Sequence, residues 1–412
     1  MGVLSGLRVL EVSAFVAVPL AGATLAAMGA EVIRIDPVGG GIDSARLPRV
    51  RGRSLYWAGL NQGKRSVTLD LSSPAGVEAL GRLLRSGGAD GGIVITNLPA
   101  RGALSYDRLR EVRPDLILVV LAGNPDGSPA VDYTVNARLG FPQVTGPAEW
   151  RGPVNNVLPA WDAQAGYLVA LGLLAAERHR RLTGEGQMVS LNLLDVGLSL
   201  TARLGALAEA DLVTEPRGRF GNFVYGTFGV DLPTSDGHRV MVVALTPGQW
   251  VRLMRTTGLE DEMERLGERL GLDLMLEDAR WEARGEIEAR LSGWSVSRDL
   301  GRIARAFQEG GVVWAPFQSF KELLSDPLAA PGTSVLARVR DGEVGEYSLP
   351  RSALRFGAFE APPAPPPPVL GEDTDEVLRH LAGMDDREIM GLRAAGLAGE
   401  PRPGAGAEGH GR

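Results

Sequence analysis

The sequence predicts an α/β protein, with a doubly wound large domain and a smaller α+β domain. Three observations carry this. Leu7–Asp36 reads strand, helix, strand in about thirty residues, the spacing of a βαβ unit and therefore of a parallel sheet. The alternation continues to Leu121, as a Rossmann-like sheet requires. After Gly140 the rhythm changes, and beyond a linker near Glu215–Gly221 it becomes a strand pair followed by helices with charged faces.

The elements follow in order. Leu7–Val12 (LRVLEV) is a short apolar strand, Ala14–Met28 an Ala- and Leu-rich helix stopped by Gly29, and Glu31–Asp36 a second strand closed by Pro37 and three glycines. Ser66–Leu71 is a further strand, and Pro74–Ser86 an amphipathic helix opening at a Ser-Pro start. Gly92–Thr96 and Leu116–Leu121 are strands flanking a helix at Tyr106–Val112. A long helix occupies Asp162–His179, and Gln187–Leu191 leads into another helix. The strand pair turns around Thr234–Gly237; helices follow at Pro247–Thr257, Glu260–Leu270, Glu286–Leu291 and Val296–Gln308. Val335–Arg340 and Gly345–Ser348 form a hairpin, and the proline run Ala361–Pro368 is an extended tie. The domains are then 1–214 (large), 215–330 (small) and 331–398 (a return segment completing the large domain), with 399–412 a frayed tail.

Composition excludes several functions. The 412 residues hold 50 acidic and 43 basic side chains, a formal charge of −7 with no basic tract, which argues against nucleic acid as a partner. Cysteine is absent, which removes thiol nucleophiles, disulfides and cysteine metal sites. His179, His238, His380 and His410 are isolated, so no helix face carries a histidine metal pair and no metal is expected. No run approaches about 18 apolar residues and no signal peptide is evident, so the default is a cytoplasmic protein without a membrane partner.

Known phosphate motifs fail. Gly59–Arg65 (GLNQGKR) has too few residues between its glycines for a P-loop, and Arg65 stands where a magnesium-binding hydroxyl belongs. The first strand lacks a G-x-G-x-x-G turn, and no G-x-S-x-G elbow occurs. Chemistry is left to carboxylates and hydroxyls. Asp162 begins the long helix behind Pro159, where plain N-capping explains it well. The same position would keep a carboxylate ionised at the positive helix end, ready to act as a nucleophile. Lys64 is one of only two lysines, with Lys321, and lies with Arg65 before a strand, where it could hold phosphate as a point charge or simply be solvated.

Taken together, several segments resemble the class III CoA-transferases, a family that also contains the α-methylacyl-CoA racemases. The segments are Gly6–Val12, Met28–Asp36 with the Gly39–Gly41 turn, Asn61–Leu71 (NQGKRSVTLDL), Thr96–Leu98, Leu182–Gln187 (LTGEGQ) and Pro366–Thr374. The resemblance implies that Asp162 is the nucleophile, and that Asn61, Lys64, Arg65, Leu69, Ser72, Asn97, Leu98 and Arg101 contact CoA. It implies coenzyme A as a thioester substrate, no tightly bound cofactor, and an interlocked homodimer. In the implied mechanism Asp162 attacks an acyl-CoA thioester to give an aspartyl anhydride. The CoA thiolate then attacks the aspartyl carbonyl, giving an aspartyl-CoA thioester and a free acid. Val131 stands where the racemases carry a histidine before Asp132, so proton exchange by a histidine base is not expected.

Within the family, SAFVAVPLAG, DYTVNARLGFPQVTGP, PVNNVLPAWD and GNFVYGTFGVDLPTSDG are similar to members that move CoA between the two carboxyls of one C5 dicarboxylate. This makes Phe15, Val16, Asp132, Tyr133, Asn136, Asn155 and Asn156 candidates for the substrate pocket. The stretch Gly221–Gly229, bulkier than the glycine flap of intermolecular members, fits an acid that turns inside the site. The alternatives are transfer to a separate carboxylic acid, and a non-catalytic CoA-binding scaffold.

Overall fold

The computed structural model describes residues 2–215, 217–359 and 363–399. They divide into two units: one comprises the chain up to Leu139, Asn156–Ala208 and the chain from Pro327; the other is Gly140–Asn155 with Glu209–Asp326. Gly140–Asn155 thus group with the second unit, although the sequence rhythm assigns them to 1–214.

The first unit is built on a six-stranded sheet. Its strands are β1 (Arg8–Val12), β2 (Glu31–Asp36), β3 (Arg65–Thr68), β4 (Ile93–Thr96), β5 (Ile117–Ala122) and β6 (Met188–Asn192), ordered β3-β2-β1-β4-β5-β6. Every pairing is parallel, starting from Leu10 opposite Ile33 on one side and Val94 on the other. The inner strands of a parallel sheet are covered on both faces and are therefore mainly apolar: Val9, Ile33, Val67, Ile93, Val94, Ile95 and Val119 are sealed from solvent, as are the charged Glu11, Arg34 and Asp36, which pair with one another. Each apolar burial contributes about 1.5–3 kcal/mol before the entropy of ordering.

The helices of this unit include α1 (Ala17–Ala27), α2 (Leu55–Asn61), α3 (Pro74–Arg85), α4 (Tyr106–Val112), α5 (Asp132–Arg138), α6 (Ala160–Thr183) and α7 (Leu193–Arg203), with two more, Thr374–His380 and Asp386–Ala394, in the return segment. The Ser73 hydroxyl caps α3 by accepting from the Gly76 N–H, as the Ser-Pro start predicts. Helix α1 starts three residues later than expected, because Phe15 takes a left-handed φ of +64° that no helix accommodates. The return segment closes the β3 edge: Asp373 Oδ2 accepts the Ser66 N–H at 2.8 Å and Thr374 Oγ1 accepts the Thr68 N–H at 3.1 Å. The proline run is tied down through Pro365 O, which accepts from Gln62, and Pro368 O, which accepts from Arg53. Ala361, Pro362 and the tail from Glu400 lie outside the described residues.

The second unit has an antiparallel sheet of β7 (Phe228–Pro233), β8 (Arg239–Ala244) and β9 (Val313–Pro316), ordered β9-β8-β7. Its helices bury Trp250, Leu253, Ile303 and Phe307 against Phe228 and Val240. The hairpin of β10 (Leu336–Asp341) and β11 (Gly345–Pro350) belongs to the first unit, where Arg53 pairs with Asp341 at 2.6 Å. No helix among the described residues is long and apolar enough to cross a membrane.

Candidate active site

The strand order reverses between β1 and β4, and ligands of open α/β sheets bind outside the carboxyl ends of the strands at such a point. There the Asn97 amide, one residue past β4, clamps the Ala14 backbone: its Oδ1 accepts the Ala14 N–H at 2.9 Å and its Nδ2 donates to Ala14 O at 2.7 Å. Next to it the Phe15 N–H donates to Asp43 Oδ2 at 3.0 Å. These bonds hold Phe15 in its left-handed conformation, which costs about 1–3 kcal/mol and persists only where neighbours impose it. Val16 is buried and leads into α1.

Asp162 is the third residue of α6 and is half-buried. It does not cap its helix. Asp132, the first residue of α5, does so from outside: its Oδ2 accepts the N–H of Trp161 at 2.7 Å and of Asp162 at 3.0 Å. One turn along α5, Asn136 Oδ1 accepts the Trp161 indole N–H at 3.0 Å. The second oxygen of Asp132 is buried with no hydrogen-bond partner among the described residues.

This arrangement corrects the expectation that the helix end keeps Asp162 firmly ionised. Its free N–H groups serve Asp132 instead. Burial first, and then the like charge of Asp132, push the Asp162 carboxyl up to about 7, against the opposing pull of Arg46. Burial also raises the Asp132 carboxyl, against the two backbone N–H groups that hold it. Asp162 is therefore a carboxyl group that changes charge near neutrality.

Gly166, one turn further along α6, sets how closely this helix meets α1. A Cβ there would lie 2.6 Å from Ala17 O and 3.2 Å from the Leu20 Cβ, so only glycine allows the approach. The head of α6 is thereby laid beside the Phe15–Ala17 turn.

Arg46 lies on the loop after β2, with its guanidinium 5.5 Å from the Phe15 ring centroid and 5.1 Å from that of Tyr56. The Tyr56 hydroxyl is pushed up to about 12, chiefly by burial, with Arg46 opposing and Asp162, Asp43 and Tyr133 reinforcing. Neither Arg46 nor Tyr56 stands out in the sequence, since Arg46 comes from an irregular loop and Tyr56 from a helix of only seven residues, too short to show periodicity. The available signal was Ser54, whose hydroxyl accepts the Trp57 N–H and starts α2, carrying Tyr56 in its first turn.

Beneath the site lies a sealed ionic network. Arg34 donates to Glu11, Ser13, Asp36 and Asp43, and Lys64 donates to Glu11 Oε1, Pro19 O and Asn61 Oδ1, each at 2.9 Å. Burial would lower the Arg34 pKa, but its three carboxylate neighbours raise it; burial lowers Lys64 to about 8 against the pull of Glu11. The Lys64 side chain is 0% exposed and its three N–H bonds are all taken internally, so the structure makes it a core cation and not an open phosphate contact. Asn61 is likewise buried, donating to Trp57 O at 2.9 Å, and Leu69 is a core residue. Asn61, Lys64 and Leu69 each expose 5% or less of their surface, which favours a supporting place beneath the site over a direct contact.

Of the other expected CoA contacts, Ser72, Leu98 and Arg101 follow the carboxyl ends of β3 and β4, whereas Arg65 opens β3 at its amino end. Arg65 pairs with Glu31 at 3.1 Å and Glu376 at 2.8 Å, Ser72 is exposed and donates to Asp70, and Leu98 and Arg101 are exposed on the loop after β4. Of the pocket candidates, Phe15, Val16, Asp132 and Asn136 gather at the switch point and the α6 head, and Tyr133 is 38% exposed on α5. Asn155 is exposed and belongs to the second unit, and Asn156 is half-buried in the first. A cavity of about 610 Å³ in the second unit, lined by Trp250, Met254, Met263 and Leu274, contains none of the residues singled out from the sequence. The Gly221–Gly229 stretch also lies in that unit, where Tyr225 packs against Trp281 (5.2 Å) and Phe220 (5.8 Å).

The chain is similar to known proteins along nearly its whole length. Residues 4–374 match the family described as CoA-transferase family III. The chain is 49% identical over 403 residues to the 2-methylfumaryl-CoA isomerase of Chloroflexus aurantiacus, covering 97% of this chain and 98% of that one. It is 30% identical to the succinyl-CoA:mesaconate CoA-transferase of Haloarcula marismortui, covering 93% and 98%. Its fold matches a crystal structure of a CAIB/BAIF family protein from Brucella suis, with a TM-score of 0.75 at 24% identity over 92% of this chain and 99% of that one. Matched by the family over residues 4–374 and by a 49% identical relative along 97% of its length, this protein is a member of CoA-transferase family III.

Proposed function

We propose that the protein moves coenzyme A between the two carboxyl groups of one unsaturated C5 diacid, the reaction of a 2-methylfumaryl-CoA isomerase. The observation that carries this reading is the 49% identity along 97% of the chain, against 30% to a transferase that uses a separate acid.

Asp162 supplies the chemistry. Its carboxylate attacks the C1 thioester carbonyl and expels CoA thiolate, leaving an acyl-aspartyl anhydride. The thiolate attacks the aspartyl carbonyl and expels the C1 carboxylate, leaving aspartyl-CoA. The freed diacid turns, its C4 carboxylate attacks the aspartyl thioester, and the thiolate then takes the C4 acyl group, restoring Asp162. Each step exchanges one acyl bond for another of similar energy, so thioester energy is kept throughout. Ser72, Leu98 and Arg101, exposed after the carboxyl ends of β3 and β4, are the CoA-contact candidates of this reading, with Asn61, Lys64 and Leu69 supporting them from beneath. A homodimer belongs to the same reading; the exposed Tyr167, Leu168 and Leu171 on α6 favour a partner surface there.

Incubating the protein with 2-methylfumaryl-CoA alone tests the reading. The C4 thioester should accumulate without added acid; its appearance only when a second acid is supplied would assign the intermolecular reaction. Asp162→Asn should abolish either reaction, which a CoA-binding scaffold would not show.

A further inference from the structure

Among the cations close to the switch point, Arg34 and Lys64 are sealed in the core with their donors bound by carboxylates and carbonyls. Arg46 differs. It is exposed and forms no ion pair among the described residues, yet its guanidinium is held between the faces of Phe15 and Tyr56. Stacking on aromatic faces fixes the plane of a guanidinium and leaves its N–H edge open. The mounting is rigid on both sides. Phe15 is locked by Asp43 Oδ2, and the Arg46 backbone N–H donates to Asp43 O at 3.1 Å, so Asp43 sets ring and arginine together. Asp43 is itself anchored by Arg34 at 3.2 Å. The field of Arg46 reaches Asp162, which places its charge within the nucleophile's surroundings.

A fixed, unpaired guanidinium of this kind is suited to a planar carboxylate that it can hold bidentately. We infer that Arg46 is the specificity-determining residue that receives the carboxylate of the substrate not engaged with Asp162. The inference rests on the proposed reaction, in which the diacid has one carboxyl group free whenever the other is joined to CoA or Asp162, and both free only while it turns. Arg46 then holds C4 while C1 reacts, and C1 after the diacid has turned. One cation serves both halves because the two ends exchange places.

Binding to an inactive enzyme tests this. In the Asp162→Asn protein, dissociation constants are measured calorimetrically for 2-methylfumaryl-CoA and for tiglyl-CoA, its analogue with a methyl group replacing the free carboxyl. The diacid thioester should bind tighter by roughly 10- to 100-fold, the worth of a charge-assisted hydrogen bond. Adding Arg46→Gln should erase that preference while tiglyl-CoA binding stays within about twofold, which also shows that the variant is folded. Retention of the preference in the double variant would overturn the inference. Equal weakening of both ligands would do the same, since Arg46 would then be supporting the site as a whole. Turnover of 2-methylfumaryl-CoA by the wild type, assayed alongside, separates failure of this inference from failure of the proposed reaction.

Discussion

One oxygen of the Asp132 carboxylate accepts the backbone N–H of both Trp161 and Asp162, at 2.7 and 3.0 Å, so a second acid holds the helix on which Asp162 stands. This links position to reactivity. The same carboxylate that fixes Asp162 also raises its pKa, after the larger effect of burial.

With Asp162 at about 7, the pH profile of kcat/KM should rise on its acid side through that value, because the attacking form is the carboxylate. Asp132→Asn keeps an acceptor oxygen for the helix and removes the like charge. Its acid limb should move to lower pH; an unmoved limb would show that the Asp132 charge does not act on Asp162.

Stability should carry the same signature. In the unfolded chain Asp162 loses its proton near its ordinary value of 3.8, whereas the folded protein keeps it to about 7. The folded state binds more protons between these values, so its stability from this group is full below 3.8, falls as pH rises, and is lost above about 7. Asp162→Asn escapes this loss. Thermal unfolding should show the variant gaining on the wild type from pH 5 to pH 8 in free enzyme, and a gap independent of pH would refute it.

Lys64→Met should behave as a core lesion. It leaves Glu11 buried without its ammonium partner, a change that costs about 3–5 kcal/mol. Denaturant unfolding should register that loss, whereas KM for the CoA thioester, measured where the variant is folded, should stay within a few-fold. A large rise in KM with unchanged stability would restore Lys64 to a phosphate contact.

The central sheet was legible because a parallel sheet demands inner strands mainly apolar on both faces, and LRVLEV, EVIRID, GIVIT and LILVVL supply them at helix-separated intervals. Asp162 was legible through resemblance, and only as a position. Its environment was not, since the acid that caps its helix lies 30 residues earlier and meets it only in the folded chain. The surroundings of Lys64 were not legible either: its place before a strand suggests a solvated loop, but its ammonium donates to Asn61 Oδ1 and to Pro19 O of α1 inside the fold. There Gly22 leaves the room, since a Cβ at that residue would lie 3.1 Å from the Lys64 Cε. Arg46 sits on irregular backbone and Tyr56 on the short helix α2, and both announce themselves only by geometry.

Gly166→Ala should damage activity more than its size suggests. The added methyl would meet Ala17 O at 2.6 Å, so α6 must move away from α1 and carry Asp162 with it. A stability loss of about 1–3 kcal/mol is expected from overpacking. Assays at a temperature where the variant is folded should still show kcat reduced by tenfold or more. A folded variant with normal kcat would mean that the close approach of the two helices does not position the nucleophile.

Covalent labelling tests the central claim most directly. Hydroxylamine added during turnover of 2-methylfumaryl-CoA should convert Asp162, and no other carboxylate, to a hydroxamate visible in its peptide by mass spectrometry. Sustained isomerisation with an unmodified Asp162 peptide, or with the hydroxamate on another residue, would contradict the account.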